Sequence, residues 1–254
     1  MSIKNLTAEN ANQCLSVVIP AYNEATTIER VVQRLLQLPN LLEVIIVDDC
    51  STDRTSEILR QLANQNSQLK VIRHPKNAGK TEALKTGFAL TTGDIVIVQD
   101  ADLEYDPQDI PIVIEPILQG TADVVYGSRF LVRRATRVLY FYHFLANKFL
   151  TFTSNLFTNL NMTDVETGYK AFRGDIIRNM VLISHGFGFE IEVTAKVAKL
   201  RCRIYEVPIS YYGRTYEEGK KIRVKDGLVA FWFVFRFNVF CSLSSSFRQL
   251  PEQR

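Results

Sequence analysis

Asp94-Ile95-Val96-Ile97-Val98-Gln99-Asp100-Ala101-Asp102-Leu103-Glu104 sets four consecutive β-branched residues directly against three alternating acids. The run Ile95 to Val98 predicts a strand buried on both faces, as in a parallel sheet. Ligands of open α/β sheets bind at the carboxyl ends of the strands, so Asp100, Asp102 and Glu104 fall where ligands bind. Carboxylates at alternate positions can aim oxygens at one hard divalent cation, and such a cation suits a diphosphate. A solvated acidic turn would also supply a lone D-x-D. A strand core running straight into three acids favours a metal–diphosphate site.

Working outward, the first half alternates strand and helix. Leu15 to Ile19 reads as a strand stopped by Pro20, Glu43 to Val47 as a second ending at Asp48-Asp49, Leu69 to Arg73 as a third, and Asp123 to Tyr126 as another. Helical spacing marks residues 25–38, a segment to about Asn64 capped by Ser51 or Thr52, Gly79 to Leu90 and Asp109 to Leu118. This alternation predicts a doubly wound, mostly parallel sheet with right-handed crossovers. The second half loses the rhythm. Val138 to Leu160 reads first as a buried core helix and second as a surface for an apolar substrate tail, Glu190 to Leu200 as a helix and Arg203 to Ile209 as a strand. Leu228 to Phe240 is too short to span a bilayer, which needs ~20 apolar residues. It reads equally as a core helix or as an amphipathic helix in a membrane interface, beside Arg223 and Lys225.

The 254 residues, 46% hydrophobic and 22% charged, suit one large α/β domain with an ample core. Three segments are expected: a tail over 1–14, the catalytic domain over 15–226, and an apolar or amphipathic helix with its tail over 227–254. A net charge of +3 is too small to argue for nucleic acid. Local patches say more: no acid occurs from Val124 to Thr163, where Arg129, Arg133, Arg134, Arg137 and Lys148 fall, and Arg214, Lys220, Lys221, Arg223 and Lys225 cluster later. Two basic patches point to phosphate or an anionic membrane surface. Cys14, Cys50, Cys202 and Cys241 form no C-x-x-C pair, which fits a reducing compartment. The polar residues 1–13 carry no signal-peptide core, so a cytoplasmic location, peripheral at the inner membrane face, is expected.

Val18-Ile19-Pro20-Ala21-Tyr22-Asn23-Glu24, Val47-Asp48-Asp49-Cys50-Ser51-Thr52-Asp53, Asn77-Ala78-Gly79-Lys80, Gln99-Asp100-Ala101-Asp102 and Tyr126-Gly127-Ser128-Arg129-Phe130 occur in that order. This ordered set resembles the inverting family-2 glycosyltransferases of GT-A fold. Thr163-Asp164, Gly168-Tyr169-Lys170 and Glu206-Val207-Pro208-Ile209, followed by Arg214 and Lys220, resemble the dolichyl-phosphate mannosyltransferase branch. The resemblance implies a Rossmann-like GT-A sheet flanked by helices with a mixed, acceptor-side second half. It also implies a nucleotide-sugar donor, GDP-mannose or UDP-glucose, and a Mg2+ or Mn2+ ion. By position, Pro20, Tyr22, Glu24, Val47 and Asp49 would hold the nucleoside. Asp100, Ala101 and Lys220 would hold the rest of the donor, and Asp100, Asp102 and Glu104 the metal. Asp102, Arg129 and Arg214 would carry the transfer, the arginines through planar forks that suit phosphate oxygens.

A lipid monophosphate is already anionic and needs cations, whereas a sugar hydroxyl needs a positioned base. The acid-free basic stretch favours a polyprenyl-phosphate acceptor, with a membrane surface or membrane partner nearby. Two departures matter. His143-Phe144-Leu145-Ala146-Asn147 lacks an arginine that lipid-phosphate relatives carry, and His143 reads as a packed core residue. Glu166 stands where relatives have a neutral residue; it either serves as a base for a hydroxyl acceptor, as Asp164 could, or pairs with Lys170. A nucleotidyltransferase would show a Gly-rich loop after the first strand, and Ala21-Tyr22-Asn23-Glu24 has no glycine. A non-catalytic nucleotide-sugar binding module is disfavoured by the intact Asp100, Asp102 and Arg129.

Overall fold

The computed structural model describes residues 13–131, 137–138, 140–186, 188–213 and 224–251. In chain order the elements are β1 (Leu15–Ala21), α1 (Ile28–Leu35), β2 (Leu41–Asp48), α2 (Thr55–Gln65), β3 (Leu69–Arg73), α3 (Lys80–Leu90), β4 (Ile95–Val98), α4 (Ile110–Leu118), β5 (Val124–Ser128), α5 (Phe141–Thr158), β6 (Lys170–Arg173), α6 (Gly174–Asn179), α7 (Phe189–Leu200), β7 (Ile204–Pro208), α8 (Val224–Val239) and α9 (Leu243–Ser246). Among the described residues the strands make one seven-stranded sheet in the order β3-β2-β1-β4-β6-β5-β7. The pairs β1–β2, β1–β4, β2–β3 and β5–β7 are parallel, and β6 runs antiparallel to both β4 and β5. This is the mostly parallel, mixed α/β sheet that the sequence implied.

The core lies on both faces of the sheet because successive strand residues point to opposite sides. Val17, Ile19, Ile95 and Ile97 face one cluster with Val31 and Leu35 of α1 and Ile110 and Val113 of α4. Val18, Val96, Val98 and Val124 face the other, with Leu84 and Phe88 of α3, Phe189 and Val193 of α7, and Val234 and Phe237 of α8. All four residues of β4 are buried, as their β-branched run predicts.

Three expectations need correction. Pro20 does not stop β1, which continues to Ala21. Val18 O accepts from Gln99 N, so Val18 faces β4, and Pro20, two residues on, faces the same side. There β4 has already ended at Val98, and the missing N–H leaves no gap in a ladder. Neither Ser51 nor Thr52 caps α2; Asp53 does the local work, its Oδ1 accepting from Thr55 N at 2.9 Å. The helix predicted over Val138 to Leu160 forms, but it is not a buried core helix. Phe141, Tyr142, Phe149, Phe152 and Leu156 of α5 are exposed, and His143 is only half-buried. No helix among the described residues is long and apolar enough to cross a membrane.

Candidate active site

Because β1, β2, β4 and β5 point the same way, the loops after them share one edge of the sheet. The loops after β1, β2 and β4 each hold a non-glycine residue with positive φ: Asn23 at 55°, Cys50 at 63° and Leu103 at 60°. Left-handed residues of this kind are disfavoured and concentrate at functional sites. Asn23 stitches two of these loops together, its Oδ1 accepting from Thr52 N at 2.8 Å while its own N–H donates to Ser51 Oγ at 3.0 Å.

Asp49, expected to meet the base or ribose, is used inside the fold. Its Oδ1 contacts His74 Nδ1 at 2.7 Å and Ala78 N at 3.0 Å, and its Oδ2 accepts from Gly79 N at 2.7 Å. The carboxylate therefore shapes the turn that starts α3, where Gly79 has φ of 91°, a conformation L side chains rarely adopt. Val47 and Ala101 are fully or almost fully buried in core clusters, so they offer only backbone to a donor. Tyr22 is exposed, Pro20 and Glu24 are half-buried, and all three line the carboxyl end of β1.

Asp100 and Asp102 follow β4 directly. Lys80 at the start of α3 lies 3.0 Å from Asp100 Oδ1 and 3.0 Å from Glu190 Oε1. Burial works against the Lys80 charge, but Asp100 and Glu190 outweigh it and leave the pKa well above that of a free lysine. Asp102 Oδ1 accepts from Glu104 N at 3.2 Å. Glu104 does not join the two aspartates as a third metal ligand: its Oε2 accepts from Tyr211 OH at 2.8 Å, and among the described residues no three acidic, His or Cys groups converge on one point. The residues still fit a hard cation. Mg2+ is commonly held by one or two carboxylates plus substrate phosphates, and Asp100 and Asp102 supply that oxygen donor set.

Arg129 follows β5, held by a bidentate pair: its Nε donates to Asp164 Oδ2 and an NH2 to Asp164 Oδ1, both at 2.7 Å. Its backbone N–H adds a third bond to Asp164 at 3.0 Å, and its guanidinium also reaches Asn147 of α5 at 3.3 Å. Asp164 is wholly buried, and its backbone N–H, with that of Thr163, donates to the Glu206 carboxylate of β7. Asp164 is therefore the counter-ion of Arg129 and not a base for a hydroxyl acceptor. Arg214, Lys220, Arg133 and Arg134 lie outside the described residues.

Sequence reasoning missed the aromatic floor of this edge. Tyr105 stacks on Tyr169 with ring centroids 4.9 Å apart, and Arg129 lies 5.1 Å over the Tyr211 ring. Tyr105 OH accepts from Gly168 N at 2.8 Å, and Tyr169 OH donates to Gln99 Oε1. A Cβ on Gly168 would come 2.5 Å from Asp100 Oδ2, so the 166–168 turn is pressed against the acids. Glu166 does not bond to Lys170. Lys170 Nζ instead donates to the Val165 carbonyl at 3.0 Å and to the Thr167 carbonyl, and Glu166 Oε1 has no partner. Burial, followed by the nearby Glu190, raises the Glu166 pKa to about 7.

The profile described as Glycosyl transferase family 2 matches residues 16–181, which carry every strand from β1 to β6 and the acids after β4. The chain belongs to glycosyltransferase family 2. This glycosyltransferase is 30% identical over 218 residues to the undecaprenyl-phosphate mannosyltransferase of Micrococcus luteus, covering 80% of this chain and 85% of that one. It is 32% identical over 211 residues to the dolichol-phosphate mannosyltransferase of Pyrococcus furiosus, covering 81% of this chain and 58% of the other. The glycosyltransferase thus spans less than two thirds of the Pyrococcus protein's length. Its fold is that of glucosyl-3-phosphoglycerate synthase from Mycobacterium tuberculosis, whose crystal structure holds Mn2+, UDP and phosphoglyceric acid. The TM-score is 0.68 at 23% identity, covering 92% of this chain and 82% of that one.

Proposed function

We propose that this glycosyltransferase moves a hexose from a nucleotide-sugar, GDP-mannose or UDP-glucose, to a polyprenyl or dolichyl phosphate with inversion. A phosphate oxygen of the lipid attacks the anomeric carbon in line as the bond from that carbon to the nucleoside diphosphate breaks, so the leaving group departs with its electron pair and no proton has to move. Asp100 and Asp102 would hold Mg2+ or Mn2+, which neutralises the leaving diphosphate as a Lewis acid. Pro20, Tyr22 and Glu24, with the backbone of Val47, line the nucleoside end, the backbone of Ala101 meets the diphosphate, and Asp49 sets the shape of the nucleoside end through Ala78 and Gly79. Arg129, together with Arg214 and Lys220, supplies positive charge for phosphate oxygens; Asp164 keeps the Arg129 fork oriented.

The observation that carries the lipid acceptor is the double character of α5. Its Asn147 touches Arg129, and its Lys148 Nζ donates to the Thr163 carbonyl at 3.2 Å. Its other side exposes Phe141, Phe149 and Phe152, and Phe149 stacks on the exposed Phe231 of α8. One helix thus joins the phosphate-binding edge to an apolar surface, as a substrate with an anionic head and a long apolar tail requires. The mannosyltransferases similar to this chain act, by name, on undecaprenyl and dolichol phosphates, which supports the same reading. We place the enzyme peripherally on a membrane through this surface.

The deciding assay incubates the protein with GDP-mannose or UDP-glucose, Mg2+ or Mn2+, and a short polyprenyl phosphate. Glycosylated lipid from one donor, abolished by Asp102→Ala, is the expected result; donor turnover with no lipid product from any polyprenyl phosphate overturns the acceptor. A hydroxyl acceptor remains the second reading because Glu166, at about 7, is poised for general-base work. In that case Glu166→Gln lowers kcat and leaves affinity for the nucleoside diphosphate unchanged.

A further inference from the structure

Beneath the acids lies a buried polar cluster that the transfer step above does not use. Glu190, at the first turn of α7, is 5% exposed; Lys80 takes its Oε1, and its Oε2 has no hydrogen-bond partner. Glu166, in the turn pressed against Asp100, has a buried Oε1 that is likewise unpartnered. A buried acceptor left unmade costs about 1–3 kcal/mol, and native structures hold few of them. Neighbouring carboxylates are fully served by comparison. Glu192, two residues from Glu190, accepts from Ile183 N and Ser184 N at 2.8 Å each and from Lys196 Nζ at 2.5 Å.

We propose that Glu166 and Glu190 accept hydrogen bonds from hydroxyl groups of the donor's hexose, and thereby set which sugar the enzyme takes. This inference rests on the donor reading given above. Place supports it: Lys80 links Glu190 to Asp100, and Gly168 seats the Glu166 turn on the same aspartate, so both unpartnered carboxylates adjoin the residue that would meet the sugar-bearing diphosphate. Charge selects the class of ligand. Lys80 and Lys170 already stand among Asp100, Glu190 and Glu166, so the cluster has its cations in place and calls for neutral O–H donors. Chemistry sets the selectivity, because a site built to bond a hydroxyl discriminates strongly against a sugar that places it elsewhere.

Two substitutions isolate the effect. Glu190→Gln keeps a carbonyl for Lys80 but replaces Oε2 with an NH2, turning an acceptor into a donor. Glu166→Ala removes the second acceptor altogether. Calorimetric titration compares GDP with GDP-mannose, and UDP with UDP-glucose and UDP-galactose, for wild type and both variants. The expected result is unchanged affinity for the nucleoside diphosphate, which also reports an intact fold at the site. Affinity for the preferred nucleotide-sugar falls about tenfold to a hundredfold, as for loss of a charged hydrogen bond, and discrimination among sugars narrows. Variants that keep both the sugar's contribution and the preference overturn the inference, trapped water then serving the two oxygens. Wild-type protein that binds none of these nucleotides overturns the donor reading itself and the inference with it.

Discussion

At the scale of single residues, the site is built by side chains that hold one another as much as by side chains that await substrate. Arg129 and Asp164 illustrate this: with 12% and 0% of their side chains exposed, each is the other's condition for being charged inside the protein. Removing one member of such a pair leaves an uncompensated buried charge, which costs about 3–5 kcal/mol, whereas replacing both by apolar groups costs much less. Asp164→Ala should therefore lower the unfolding free energy by about 3–5 kcal/mol in urea titrations, and Asp164→Ala with Arg129→Leu should recover much of it. The motifs disclosed which residues gather at this edge, since Asp49, Asp100, Asp102 and Arg129 all reach it. They did not disclose that Asp49 and Asp164 are spent within the fold. Those partners, Ala78, Gly79 and the Arg129 fork, come from other loops, and a linear pattern carries no record of a backbone N–H thirty residues away.

At the scale of elements, strands and helices with strong hydrophobic periodicity were legible, and the misses have physical reasons. β4 matched its predicted bounds because four β-branched residues buried on both faces admit few other readings. β6 escaped notice because Lys-Ala-Phe-Arg does not look like a strand. Both of its charges are nonetheless buried, Lys170 on the Val165 and Thr167 carbonyls and Arg173 on Asp123 at 2.9 Å. Packing is close where α3 crosses β1: a Cβ at Gly87 would lie 2.3 Å from Val18 Cγ1. Gly→Ala in a helix gains roughly 0.5–1 kcal/mol from backbone entropy. Overpacking a core costs about 1–3 kcal/mol, and Val18 is β-branched and stiff at χ1 in a strand paired on both sides. The clash should win, and Gly87→Ala is expected to reduce stability by about 1–2 kcal/mol by the denaturation midpoint.

At the scale of the whole molecule, polar chemistry collects on the carboxyl edge of the sheet and aromatic surface on the paired helices α5 and α8. Phe149 stacks on Phe231 with centroids 6.1 Å apart and Phe157 meets Phe235 edge-on at 6.2 Å, yet Phe152, Leu156, Trp232 and Phe240 remain exposed. Periodicity alone left α8 balanced between a core helix and a membrane-interface helix; the structure buries Ala230, Val234 and Phe237 in the core and leaves Trp232 and Val239 exposed. Exposed apolar patches of this breadth mark interaction surfaces. Co-sedimentation with anionic vesicles is the measure of this surface: wild type should pellet with the lipid, and Phe152→Glu with Trp232→Glu should stay in the supernatant while still binding nucleotide. The chain has a single tryptophan, and it is Trp232, 53% exposed on that surface. Its intrinsic fluorescence therefore reports one location only. An emission maximum that shifts to the blue as vesicles are added, with quenching by brominated acyl chains, would give the depth and orientation of docking from the unlabelled enzyme, in real time and during turnover.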